Sequence, residues 1–118
     1  MMISAIDTVE IEKSKTHIIV QIIEYVHNAV VTKTIIKKIT GNITVSSFDA
    51  GEVLKEKTYP FDNYIQIIDG TALITINRKE FSLRLGEGIV IPAHAAHSFN
   101  ANEQFKMIST IIKSGYED

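Results

Sequence analysis

The side chains best suited to chemistry fall between Gly51 and Ala101, where Lys57, Tyr59, Asn63, His94 and His97 stand among glycines and prolines. A lysine ammonium offers three donors and a positive charge, an amide offers both donor and acceptor, and phenol and imidazole exchange protons. These types can hold a small anion, or supply an acid and a base for proton transfer. The chain has no cysteine, which removes thiolate nucleophiles, disulfides and thiolate metal sites together. His17 and His27 stand apart from the group and read as structural.

The elements that must position these residues read as short strands. Apolar runs punctuated by glycine, proline and Asp-Gly pairs are the signature of an all-β chain. Asn63 to Ile68 is a strand in which 63, 65 and 67 share a face. Asp69-Gly70 has the residue types of a tight hairpin turn. Ala72 to Ile76 returns, Asn77-Arg78-Lys79 turns again, and Phe81, Leu83 and Leu85 alternate with polar residues. Ile89 to Ile91 is a short strand ended by Pro92, Ser98 to Ala101 begins the next, and Phe105 to Ile112 forms the last. Upstream, β-branched density predicts strands over His17 to Tyr25 and Val30 to Ile39, with Ile43 to Phe48 after a Gly41-Asn42 turn. Residues 1–16 carry Ile3, Ile6 and Val9 at near-helical spacing and read as an arm or short helix, leaving 17–118 as a single domain. Many short, evenly spaced strands imply a barrel or a double-sheet sandwich.

Composition narrows the partners. At 118 residues the chain can bury one core. Twelve basic against fourteen acidic residues give a net charge of −2, so nucleic acid is not an expected partner. Lys33, Lys37 and Lys38 read as a solvated strand and turn surface. No basic leader or membrane-length apolar run is visible, and the expectation is a cytoplasmic protein that does not engage a membrane. The apolar stretch from Ile18 to Val31 exceeds what one small barrel hides, which predicts a homodimer.

The spacing carries a resemblance. Gly51, five residues, Lys57, one residue, Tyr59, three residues, Asn63, six residues and Gly70 match the first signature of the cupin family; Gly86, five residues, Pro92, one residue, His94, two residues, His97, three residues and Ala101 match the second. The chain therefore resembles a cupin, which implies a small antiparallel jelly-roll barrel, the double-stranded β-helix. Where metal-binding cupins carry His, His, Glu and His, this chain carries Lys57, Tyr59, Asn63 and His97. The resemblance thus implies a ligand-binding site at these four positions, near a mouth lined by Ile65, Ile67 and Phe99, with no metal and no other cofactor. An inward Lys57 must reach water, lose its proton or find an anion. Glu56 and Asp62 are near enough in sequence to satisfy it internally. The leading expectation is a small-molecule, anion-binding module in which Tyr59, Asn63 and His97 donate hydrogen bonds. Its rival is a metal-independent isomerase or epimerase using acid–base chemistry, and a third reading is a metal-dependent oxygenase built on His97. His94 replaces a signature glycine required by the turn, so its side chain is expected at the solvent or the rim.

Overall fold

Period-two alternation builds two facing sheets in the computed structural model, which describes residues 3–116. The described strands are β1 (Ile3–Asp7), β2 (Ala29–Lys38), β3 (Gly41–Phe48), β4 (Val53–Lys57) and β5 (Asn63–Gly70), followed by β6 (Ala72–Ile76), β7 (Lys79–Leu83), β8 (Gly88–Ile91), β9 (His97–Asn100) and β10 (Phe105–Ile112). One sheet runs β1-β2-β3-β10-β5-β8, the other β4-β9-β6-β7. Every described pairing is antiparallel except β1 with β2. This is the expected all-β jelly roll. Among the described residues no helix is long and apolar enough to cross a membrane.

The inward faces meet in an aromatic and aliphatic core. The Phe48 ring stacks on Phe105 at 4.3 Å between centroids, and Phe99 tilts against Phe48 at 6.0 Å. Ile65, Ile67, Ala72 and Ile74 are fully buried around them. Each large apolar side chain buried this way contributes about 1.5–3 kcal/mol.

Three local expectations are corrected. Residues 3–7, expected as part of an arm or short helix, form β1, paired in parallel with β2 from Ile3↔Ala29 to Asp7↔Lys33. The run His17 to Tyr25 is not a strand: it contains a single 3-10 turn at Ile19–Gln21 and crosses the outer face of the larger sheet. Its backbone carbonyls are met by side chains instead of a strand ladder. Ser47 Oγ donates to the Glu24 carbonyl at 2.8 Å, and Lys106 Nζ donates to the Val20 carbonyl at 2.7 Å. Tyr25 completes the attachment, donating its hydroxyl to Asp69 Oδ2 at 2.6 Å beneath the Lys106 ammonium, which lies 4.9 Å from the Tyr25 ring centre. We call residues 17–28 the strap. Asp69-Gly70 is not a hairpin turn but the corner where the chain leaves β5 for β6 in the other sheet. Gly70 has φ +70°, and a Cβ there would strike the backbone of Gln104 and Phe105. By contrast, the expected turn at Asn77-Arg78 forms, with φ of 48° and 70° at its two central residues.

Candidate functional site

Strand register decides which side chains share the interior. On the larger sheet, Thr32 pairs with Ser46 and Ser46 with Met107; Thr34 pairs with Thr44, Thr44 with Ser109, and Ser109 with Ile65. Directly opposed residues point to the same face. The inward face therefore carries a hydroxyl-bearing patch beside the apolar core. This patch lines a cavity of about 300 Å³ together with β1, β4 and β9.

All four residues expected at the site line this cavity. Lys57 and His97 are cross-strand partners on β4 and β9. The Tyr59 ring lies 5.3 Å from the His97 ring, and the Lys57 ammonium 5.7 Å from the Tyr59 ring centre. Asn63 is buried at the start of β5, its side-chain oxygen accepting the Ser109 hydroxyl at 2.7 Å. Lys57 itself is exposed, so it sits at the cavity rim with its charge solvated. Among the described residues neither Glu56 nor Asp62 makes an ion pair with it. Asp62 is engaged elsewhere, accepting the Ala93 N–H at 2.8 Å.

His97 is held firmly. Its ring packs edge-on to Phe99 and is only 2% exposed. Nδ1 lies 3.1 Å from the Ala95 carbonyl oxygen, a contact that becomes a hydrogen bond only if Nδ1 carries the proton. With Nδ1 so protonated and the ring neutral, the lone pair sits on Nε2, which is buried and has no hydrogen-bond partner among the described residues. Sequence reasoning assigned His97 a donor role; the geometry makes the neutral ring an acceptor. An acceptor left unmatched in the interior costs about 1–3 kcal/mol.

The loop before His97 is fixed by three hydrogen bonds donated by its backbone N–H groups. His94 N–H donates to the Tyr59 carbonyl at 2.7 Å, Ala95 N–H to Pro92 at 3.1 Å, and Ala96 N–H to Asn77 Oδ1 at 3.1 Å. His94 has φ +70° and an exposed side chain outside the cavity lining, as the turn requirement predicts. His17 and His27 also lie outside it.

The mouth differs from the expected one. Phe99 lines it, but Ile65 and Ile67 belong to the closed core, and Leu54, Val30 and Ile111 supply apolar wall instead. Lys37, read from the sequence as solvated surface, is exposed as expected and at the same time a second lysine in the lining. The hydroxyl residues were missed altogether, although Thr32/Thr34 and Thr44/Ser46 each sit two apart on a strand and so share a face. No aspartate or glutamate is among the described lining residues.

The residue chemistry does not fit the metal centre that cupins can carry. A first-row ion needs converging lone pairs from nitrogen or oxygen donors. Lys57 has none while charged, Asn63 Oδ1 already accepts from Ser109, and only His97 Nε2 is a good ligand. Among the described residues no three His, Asp or Glu side chains gather to hold an ion.

Three solved structures are similar to the chain over most of its length. A conserved protein of unknown function from Streptococcus pyogenes matches with TM-score 0.84 at 28% identity, over 89% of this chain and 92% of that one. A cupin superfamily protein from Desulfitobacterium hafniense matches with TM-score 0.80 at 25% identity, over 86% and 93%. A cupin 2 conserved barrel domain protein from Leptotrichia buccalis matches with TM-score 0.77 at 29% identity, over 80% of this chain and 46% of that one. No family model and no curated protein matches the sequence.

Proposed function

We propose that this chain, a small member of the cupin superfamily, binds a small organic anion in its barrel without a metal. One observation carries the reading: two lysines, Lys37 and Lys57, are among the cavity-lining residues and no aspartate or glutamate among the described residues is, the nearby Glu10 carboxylate being taken up by the Lys37 backbone N–H at 2.8 Å. A cavity with that balance favours carboxylates and phosphates and disfavours amines. Lys57 holds the charged end at the rim, and the Asn63 amide NH2 is the donor left over once its oxygen is bound to Ser109.

The test is titration calorimetry with small carboxylates, phosphates, neutral polyols and amines. Lys57→Met should retain the fold and lose anion affinity. A charge-assisted hydrogen bond contributes about 1.5–3 kcal/mol, and the exposure of Lys57 argues for the lower end, so roughly tenfold weaker binding is expected. Amines binding as well as anions, or Lys57→Met binding like the parent, would remove the proposal.

The His97 lone pair favours a second reading, a metal-independent isomerase or epimerase. A buried imidazole acceptor beside the Tyr59 phenol places a base next to an acid. Incorporation of solvent deuterium at carbon in a bound acid would support it; binding without exchange would leave the module alone.

The homodimer stands as a further proposal. The accessible surface of 7252 Å² exceeds the roughly 6,400 Å² expected of a compact monomer of 13.2 kDa. On the strap, Val26 and Ile18 face solvent at 47% and 61% exposure, within the stretch expected to pair. Light scattering that finds only monomer at micromolar concentration would exclude it.

A further inference from the structure

We infer that the ligand of this cavity is a hydroxy acid, an anion whose body presents O–H donors to the acceptors His97 Nε2, Thr34 and Ser109. The inference rests on the anion-binding reading and deepens it. It follows from counting where the protons of the lining groups go. With Nδ1 protonated toward Ala95, the neutral His97 ring leaves Nε2 as a buried acceptor without a partner among the described residues. The Thr34 hydroxyl donates to the Asp7 carbonyl at 2.9 Å, and the Ser109 hydroxyl donates to Asn63 Oδ1 at 2.7 Å. Both oxygens then have only lone pairs left to offer. Thr32 and Ser46 share one hydrogen bond at 2.8 Å; either hydroxyl can donate it, and the other keeps its proton, so this pair offers one donor beside its lone pairs.

A bare carboxylate or fully ionised phosphate has only acceptors, so it can meet the lysines and the free proton of the Thr32–Ser46 pair but not His97 Nε2 or the Thr34 and Ser109 oxygens. An alkyl chain would strand the same groups against carbon. An ammonium group could donate to them, yet the two lysines oppose it. Hydroxyl groups on an otherwise anionic molecule answer both requirements. Size agrees: at about 30 Å³ per water the cavity holds the equivalent of roughly ten waters, room for an acid of a few carbons.

The test is calorimetry on matched acids that differ only in hydroxylation: glycolate with acetate, lactate with propionate, and gluconate with hexanoate. Wild type should prefer the hydroxylated member of at least one pair by tenfold or more. In His97→Phe, and independently in Thr34→Val should the first variant fail to fold, that preference should fall at least threefold. Equal binding of both members in every pair, or a preference unchanged in the folded variants, overturns the inference and leaves the anion reading standing. Sorbitol binding as tightly as gluconate overturns the anion reading instead. No binding of any acid overturns both.

Discussion

Tyr25→Phe removes one oxygen from the strap and leaves the rest of its contacts in place. Phenylalanine keeps a ring for the Lys106 ammonium, now 4.9 Å from the ring centre, so the change isolates the 2.6 Å hydrogen bond to Asp69. Hydrogen bonds to charged groups contribute about 1.5–3 kcal/mol, and partial exposure lets water replace part of this, so the expected loss is about 1–2 kcal/mol. For a chain of this length that is a fall in Tm of roughly 3–12 °C. Urea unfolding at pH 7 should show a lower midpoint with unchanged slope. The phenol pKa is pushed up, first by burial, then by the hydrogen bond to Asp69 and the charges of Asp69 and Glu103. A folded pKa raised above the unfolded value near 10 means the contribution is complete below pH 10 and is lost as pH rises through the folded value. The gap between parent and variant should therefore be flat from pH 6 to 9 and shrink in more alkaline solution. Equal stability at pH 7, or a gap that does not narrow in strong alkali, would refute the reasoning.

Asp49 provides the acidic counterpart: hydrogen bonds from Gln104 at 2.9 Å and the Asn28 N–H at 2.8 Å hold its carboxyl below the usual range. Its stabilisation is present above the unfolded pKa and lost as pH falls through the folded one, so Asp49→Asn should lower the urea midpoint at pH 7 and converge with the parent in strong acid. The combined variant Lys57→His, Tyr59→His and Asn63→Glu, with His97 retained, rebuilds a three-histidine, one-carboxylate set around the cavity and should bind about one Zn or Ni ion per chain by elemental analysis. A folded variant that takes up no metal would mean the four side chains do not converge.

The frame of the barrel was legible because its determinants are local. Asn63, Ile65 and Ile67 alternate, and Asn77-Arg78 accepts the left-handed backbone that a two-residue turn needs. The strap was not legible, because the β-branched run from Ile18 to Ile23 has strand propensity without strand alternation. Its backbone is satisfied by Lys106 and Ser47, residues remote in sequence whose side chains give no local sign of that role. β1 escaped for a similar reason: parallel pairing with β2 depends on a partner more than a turn away. β4 reads VLKEK, too charged to look like a strand, although it carries Lys57 opposite His97. The four site positions were visible through glycine and proline spacing, whereas the acceptor character of His97 depends on one carbonyl, that of Ala95, which no residue type specifies.

Because β1 lies parallel to β2, the chain between them must travel back along the whole sheet, and the strap is part of that return path. Ser4, Ile6 and Thr8 on and beside β1 also form a wall of the cavity. Chain length in a region that touches no cavity atom thus becomes a variable of the binding site. Deleting a few residues from 12–16, all exposed, would leave every lining side chain in the sequence and yet draw β1 off its register. Insertions there would be absorbed as slack. The barrel should accordingly tolerate lengthening of this segment far better than shortening, an asymmetry that a series of indel variants would expose.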